Sequence, residues 1–454
     1  MYPKKPFEEG EYQYRRLISA ADKLIFLGIS MNIFLKSRSK LLSIMMLIIV
    51  SILLFATGTA YVIRGTYYMV TSAGDFEMRW VEEHYVFRGK NPFDIFERHY
   101  AELHGNTLPQ IGRDNSIDSE LGPITFGCYP PWSYFTGAVF TWPPTRTLAK
   151  WYFGLINLML LSSLLIWAYH LGFKDGTMMA LFFTSSLLAT SSICTTFEVG
   201  QYGVVVLSAL VASLCLDRKN RCGFAGLLLG VAMIKVTLSG PFIIPFLIKR
   251  RWKALIVMAV YIGIGSIIVF FATKTNPIEM LQQMVRAAET YAFEGQNFMM
   301  YLLGKLEVGT GSAIKMLACL VVGATIILSY LCRSSSMLTN FAIAALASRF
   351  WTYHRNYDNI ILIFLMMALG VVALRDNSHL ALASFFVMGL SLWPPASLTE
   401  IQVYRIFQYA AWFGCLSVLL MIEFKHYPAS SLKNRSDVSN IKRGRGEKWE
   451  TAGL

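Results

Sequence analysis

Long apolar runs leave this chain few ways to fold; among them are residues 41–63, 150–171, 254–272, 313–332, 358–374 and 405–422. Each has the length that a ~30 Å hydrocarbon core demands of a helix. The runs are too long and too uniformly apolar for barrel strands, and a backbone in lipid must satisfy its own hydrogen bonds. Composition points the same way: 15% of residues are charged, where a soluble domain carries roughly 25%, and the mean hydropathy is +0.47. The expected fold class is all-α. It is a polytopic integral membrane protein with roughly ten to twelve transmembrane or re-entrant helical segments and a long first extracytoplasmic loop.

Basic residues orient the segments, because short cytoplasmic loops are rich in Lys and Arg. The forty residues before the first run hold eight Lys or Arg, four acids and no small-residue cleavage site. That run is therefore read as a retained span, with 1–40 a cytoplasmic or interfacial segment. Within it, LIFLGISMNIFL at 24–35 is too short to span and is expected to lie on the interface. The loops at 173–176, 217–221, 249–253 and 332–333 and the basic tail 425–454, with seven Lys or Arg, can all be cytoplasmic together.

Residues 177–216 and 222–248 must then each leave the cytoplasm and return, as hairpins of short helices turning near 195–203 and 235–241. Non-helical backbone at that depth is tolerated only beside protein or a water-filled cavity. Both turns, the loops 64–130 and 273–312, and the stretches 349–359 and 399–405 are expected to share one extracytoplasmic face. No boundary divides the membrane domain, 41–424.

The net charge of +13 sits mostly at the cytoplasmic ends, where anionic lipid is the counterpart, and calls for no nucleic acid. Seven cysteines without paired spacing predict no structural disulfide. His84, His99 and His104 share the first outer loop, but His-x4-His is not the helical spacing of a zinc pair, and neither metal nor other cofactor is expected. The sequence shows no repeat of constant period and no Gly-rich phosphate loop.

The polar exceptions on the outer face are the candidate functional residues. Asp75 follows Gly74 shortly after the first run, in a loop that carries ten of the chain's 28 acids, and Glu77 lies two residues on. WTYHRNYD at 351–358 sets His354, Arg355 and Asp358 between two apolar runs. A charge carried to the bilayer centre there costs about 2.5–3.5 kcal/mol. Lys235 is similarly placed in the second hairpin, and Glu198 and Gln201 lie at the first hairpin turn. The plainer readings are an interfacial acid, snorkelling cations and helix caps.

An acid follows the first span, and then come CYPPWSYFTGAVFTWPP at 128–144, GQYGVVVLSALVASL at 200–214, AGLLLGVAMIKVTLSGPFIIPFLIKRRWKAL at 225–255 and RFWTYHRNYDN at 349–359. This order resembles glycosyltransferase family 87, a family of GT-C membrane enzymes typified by polyprenyl-phosphate-mannose-dependent alpha-mannosyltransferases. The similarity runs from Asp75 to about Leu420. YHRNYD carries more charge than the Trp-x-His pattern usual in the mannosyltransferase members.

The resemblance implies a GT-C-like fold, while the topology read from the basic segments gives a plasma (inner) membrane location with both termini cytoplasmic. The resemblance also implies inverting transfer of a mannose-like hexose from a polyprenyl-phosphate donor to the hydroxyl of a glycolipid or polysaccharide acceptor outside the membrane. Asp75 is then the general base, and His354, Arg355 and Lys235 bind the donor phosphate, with Arg349 and Arg405 in reserve. Tyr129 and Trp132 of the YPPW segment, with Glu77, Glu198, Gln201 and Asp358, are candidates for the sugar or acceptor site.

Inversion in one displacement needs one base. The leaving phosphate, with a second pKa near ~6, departs without a strong acid. It needs positive charge and hydrogen-bond donors as its own charge develops. No nucleotide diphosphate has to be neutralised, so metal independence is expected. The rival classes are a transporter or flippase of lipid-linked sugars, often symmetric between halves, and an O-antigen ligase-like protein with a long late outer loop. This chain shows neither feature.

Overall fold

The computed structural model describes residues 44–104, 116–125, 129–291, 310–352 and 354–426, and every regular element among them is helical. The interfacial piece 24–35, Cys128, the part 292–309 of the second outer loop and the tail beyond 426 lie outside the described residues. Contacts divide the chain within its first helix into Met1–Leu53 and Leu54–Leu454, and every candidate functional residue belongs to the second unit.

Helix α1 (Ile44–Thr71) is followed by α2 (Gly74–Phe87) and α3 (Pro92–His104), then by α4 (Pro131–Thr141) and the long α5 (Arg146–Phe173). Next come α6 (Thr177–Leu188), α7 (Ser191–Val199) and α8 (Gly203–Arg218). Three short helices, α9 (Cys222–Ala232), α10 (Val236–Ser239) and α11 (Ile243–Ile248), are joined by 3-10 turns at Met233–Lys235 and Gly240–Phe242. They lead to α12 (Trp252–Thr273) and α13 (Pro277–Tyr291). After α14 (Thr310–Leu331) and α15 (Met337–Ser348), a 3-10 helix at Asn356–Leu362 continues as α16 (Ile363–Arg375), followed by α17 (His379–Leu392) and α18 (Gln402–His426).

Among the described residues, six stretches are long and apolar enough to cross a bilayer: α1, α5, Cys222–Ile248, α12, Asn356–Arg375 and Gln402–Lys425. The pair α6 and α7, bent by 43°, makes a seventh if read as one span. The ten to twelve segments expected from sequence included re-entrant pieces; at crossing length there are six or seven. Asn356–Arg375 is the innermost, with 83% of its most apolar window buried against 22% for α12.

One of the six does not cross. Asp217 at the end of α8 pairs with Arg251, just before α12, at 3.0 Å, and Gly223 lies beside Lys253. From there α9 runs alongside α12 in the same direction, Gly226 against Ala254 and Gly230 against Tyr261. Residues 222–248 therefore return to the end at which they start, with the 3-10 turns and Pro241 breaking the helix between. This is the second hairpin expected from the basic loops. The first is looser: α7 turns into α8 near Gly200, but α6 packs along α5 while α8 packs on α9 and α5.

Three of the basic loops, at 217–221, 249–253 and 332–336, do meet at one end. Besides Asp217 and Arg251, Lys249 Nζ donates to the Ser335 carbonyl at 2.5 Å, and Arg375 pairs with buried Glu423 at 3.0 Å. Elsewhere α3 and α13 are tied by a polar cluster in which Asn91 Nδ2 donates to Asp94 (2.8 Å) and Gln283 (2.9 Å) and Gln283 Nε2 donates to Asp94 (2.8 Å). Phe93, Tyr134, Val269 and Met280 pack into one apolar cluster beside it. The two long loops, 64–130 and 273–312, thus meet through their described helices.

Candidate functional site

Hydropathy falls off at residue 63, yet α1 continues for about two turns through Arg64–Thr71 and breaks only at Ser72 and Ala73. Asp75 consequently sits in the first turn of α2, where a helix N-terminus favours an acid. Its neighbours fix it in place: Phe76 is fully buried and stacks on Phe153 at 4.6 Å, and Glu77 pairs with Lys150, both partners lying on α5.

Gln201 is brought to Asp75 by Gly200. This residue ends α7 at φ +74°, in the left-handed region that glycine enters without strain. A Cβ there would also strike Phe76 and crowd Ala73 and Met69 at 3.3 Å, so only glycine lets the turn approach α2 this closely. Gln201 Nε2 then donates to Asp75 Oδ2 at 2.7 Å, while Tyr129 donates its hydroxyl hydrogen to Gln201 Oε1 at 2.8 Å.

Lys235 enters from the turn of the second hairpin. Its ammonium lies 3.4 Å from Gln201 Oε1, 2.6 Å from Asp358 Oδ1 and 4.6 Å from the centre of the Tyr357 ring. Trp132 and Ser133 of α4 hold the start of this turn through the Met233 and Ile234 carbonyls, at 2.9 and 2.8 Å. Trp351 holds its far side, donating to the Thr237 carbonyl at 2.6 Å with its ring against Gly240.

Asp358 closes the chain of contacts, accepting from Lys235, from His354 Nδ1 at 3.1 Å and from the Arg355 backbone N–H at 3.3 Å. His354 is fully buried, and burial pushes its imidazole down to about 4 despite the carboxylate beside it. The ring is therefore neutral: Nδ1–H donates to Asp358, and Nε2 accepts from Thr352 at 3.2 Å. Both nitrogens are occupied, so His354 orients Asp358 and presents no free edge.

Asp75, Gln201, Tyr129, Lys235, Asp358 and His354 thus form one connected network from five separate stretches of sequence. Four other candidates lie outside it. Glu77 is two residues from Asp75 on a helix, hence about 200° round the axis, and it faces Lys150. Glu198 pairs outward with exposed Arg64 at 3.3 Å. Trp132 supports the hairpin, and Arg355 is half-buried at the start of the 3-10 helix. Of the reserves, Arg349 is buried with Nη1 donating to the Arg355 carbonyl at 3.3 Å, and Arg405 donates to the Thr399 carbonyl at 3.0 Å. Of the loop histidines, His84 and His104 each bond the backbone carbonyl four residues earlier and stack on Trp80 and Tyr100.

Sequence reasoning missed a second polar group behind Asp75. The Arg79 guanidinium lies 4.3 Å over the Tyr129 ring and pairs with Glu82 at 2.6 Å. Burial pushes Glu82 up to about 7, the Arg79 cation offsetting part of the effect. Burial, with Glu82 adding, holds Glu83 well above the usual carboxylate range. Glu83 lies against Gly137 of α4, near the Tyr202 hydroxyl. The available signal was the Arg-x-x-Glu-Glu spacing, which sets Arg79, Glu82 and Glu83 along one side of a helix.

Residues 128–353 match the model of glycosyltransferase family 87, an interval that contains Tyr129, Gln201 and Lys235 and ends just before His354 and Asp358. No curated protein and no solved structure matches the chain. The matched half of the chain supplies the turn at Gly200, the Lys235 hairpin and the YPPW helix start that build the network, and by that match the chain belongs to glycosyltransferase family 87.

Proposed function

We propose that this family member moves a mannose-like hexose from a polyprenyl-phosphate donor to the hydroxyl of a glycolipid or polysaccharide acceptor, with inversion, on the extracytoplasmic side of the plasma membrane. The observation that carries this reading is a half-buried carboxylate, Asp75, linked through the single side chain of Gln201 to a buried ammonium, Lys235. A one-step displacement at a sugar carbon asks for this polarity: a base on the acceptor side and a cation where the phosphate leaves.

Asp75 Oδ1 accepts no hydrogen bond among the described residues, so its lone pairs are available for the acceptor proton. Lys235 carries three donors; Asp358 and Gln201 take two, leaving one for a phosphate oxygen. Arg355, at the same segment, is the second candidate cation. The gathering of basic loops at the other end supports a cytoplasmic assignment for that end, under the same charge rule that oriented the sequence.

The test is transfer of radiolabelled sugar from polyprenyl-phosphate donors to membrane lipids, comparing the parent chain with Asp75→Asn in matched amounts. Asparagine keeps the shape but cannot take the proton. Loss of a general base predicts a fall of about 10²–10⁴-fold. Equal transfer by both proteins would remove Asp75 from the reaction. Absence of transfer from every donor would favour a transporter of lipid-linked sugars.

A further inference from the structure

Gln201 is an odd residue to find between a base and a cation, since its amide can face either way. Turned as in the structure, its carbonyl oxygen receives the Tyr129 hydroxyl (2.8 Å) and faces the Lys235 ammonium (3.4 Å), while its NH₂ meets the Asp75 carboxylate (2.7 Å). Turned over, the NH₂ would confront the ammonium and the carbonyl oxygen would confront the carboxylate. Both contacts would be repulsive. The side chain is 7% exposed, so water cannot relieve them.

We infer that Gln201 is a positioning residue, an amide locked in one sense by Tyr129 and Lys235 so that it holds Asp75 by Oδ2 and leaves Oδ1 to meet the acceptor hydroxyl. It couples the two halves of the reaction. The ammonium that receives the leaving phosphate also polarises the amide whose N–H steadies the base, and hydrogen bonding to the charged form of a carboxylate favours that form. This assignment rests on the reading of Asp75 as the base. It gives Gln201 no contact with sugar or acceptor, and Tyr129 acts through it in the same way.

Other charged groups also face Asp75 or its helix. Glu77, Arg79, Glu82 and Glu83 lie on α2 itself, Lys150 reaches Glu77 from α5, and Arg64 and Glu198 pair with each other away from the site. None of them is altered in the variants that test the inference.

The experiment measures pH–rate profiles of the purified full chain in detergent, with a polyprenyl-phosphate sugar as donor. Gln201→Met, which removes the N–H donor at similar volume, is expected to lower kcat while leaving the donor KM within about twofold. It is also expected to move the acidic limb of the profile to higher pH by about one unit, the size of one hydrogen bond to a charged group. Tyr129→Phe, which only frees the amide to turn, should move the limb the same way by less. In an Asp75→Asn background, Gln201→Met should cost no further activity, because its effect passes through Asp75.

An unmoved limb with a raised acceptor KM would make Gln201 a substrate contact and overturn the inference alone. A further tenfold loss in the Asp75→Asn background would do the same. Full activity of Asp75→Asn by itself would overturn the base assignment together with this inference.

Discussion

Asp358→Asn is expected to abolish transfer and to lower stability by about 3–5 kcal/mol, the usual cost of leaving one half of a buried ion pair without its partner. The carboxylate receives the Lys235 ammonium at 2.6 Å, the His354 ring at 3.1 Å and the Arg355 N–H at 3.3 Å, with both side chains of the ion pair about nine-tenths buried or more. An amide in its place offers no countercharge, and it must turn an NH₂ either towards the Lys235 ammonium or towards the His354 ring and the Arg355 N–H. The double variant Lys235→Met with Asp358→Asn removes both charges, so it should recover most of the lost stability and stay inactive. Heating in detergent followed by size-exclusion detection measures the first effect, and sugar transfer measures the second. A double variant that transfers sugar would show that Lys235 holds the fold together without serving the phosphate.

Gly226→Val is expected to cost about 3 kcal/mol or more, since over-packing that must displace backbone exceeds the usual penalty for a crowded core. Gly226 and Gly230 are the two glycines of a G-x-x-x-G pattern, and they allow α9 to lie directly on α12. A Cβ at Gly226 would come within 2.7 Å of the Ala254 Cα, a backbone atom that cannot swing aside, and one at Gly230 would meet the Tyr261 ring at 2.8 Å. The clash also shifts the turn that carries Lys235, so the folded fraction should show reduced transfer. Gly263→Ala on α12 serves as the control: nothing lies within 4 Å of its position, and it should leave the midpoint unchanged or slightly raised. Equal midpoints for Gly226→Val and the parent chain would mean that α9 and α12 are not in direct contact.

The membrane class and the re-entrant path of 222–248 were legible because both follow from simple counts. Apolar length gives the first, and the parity of basic loops gives the second. Asp75, Lys235, Gln201 and Asp358 were legible as polar residues in places that make polarity costly. The sequence was mute on partners. That Tyr129 meets Gln201, 72 residues away, or that Lys235 meets Asp358, 123 residues away, depends on which helices cross.

Glu77 shows the limit of proximity along the chain: a spacing of two on a helix sends its side chain to Lys150, away from the neighbours of Asp75. Arg79, Glu82 and Glu83 were missed for the opposite reason. A charged stretch in an outer loop reads as solvated surface, and only the packing of α2 against α4 shows it to be buried. Helix α1 outlasts its apolar run because Arg64–Thr71 is polar and aromatic while remaining helical.

The distance in sequence between Lys235 and Asp358 also bears on how the protein is made. The hairpin that carries Lys235 leaves the ribosome well before residue 358, and during that interval its ammonium has no carboxylate to receive it. A chain interrupted anywhere in between holds Asp75, Tyr129, Gln201 and Lys235, yet cannot bury the lysine at acceptable cost. Completion of the late 3-10 helix is thus what supplies the countercharge that Lys235 meets in the folded chain.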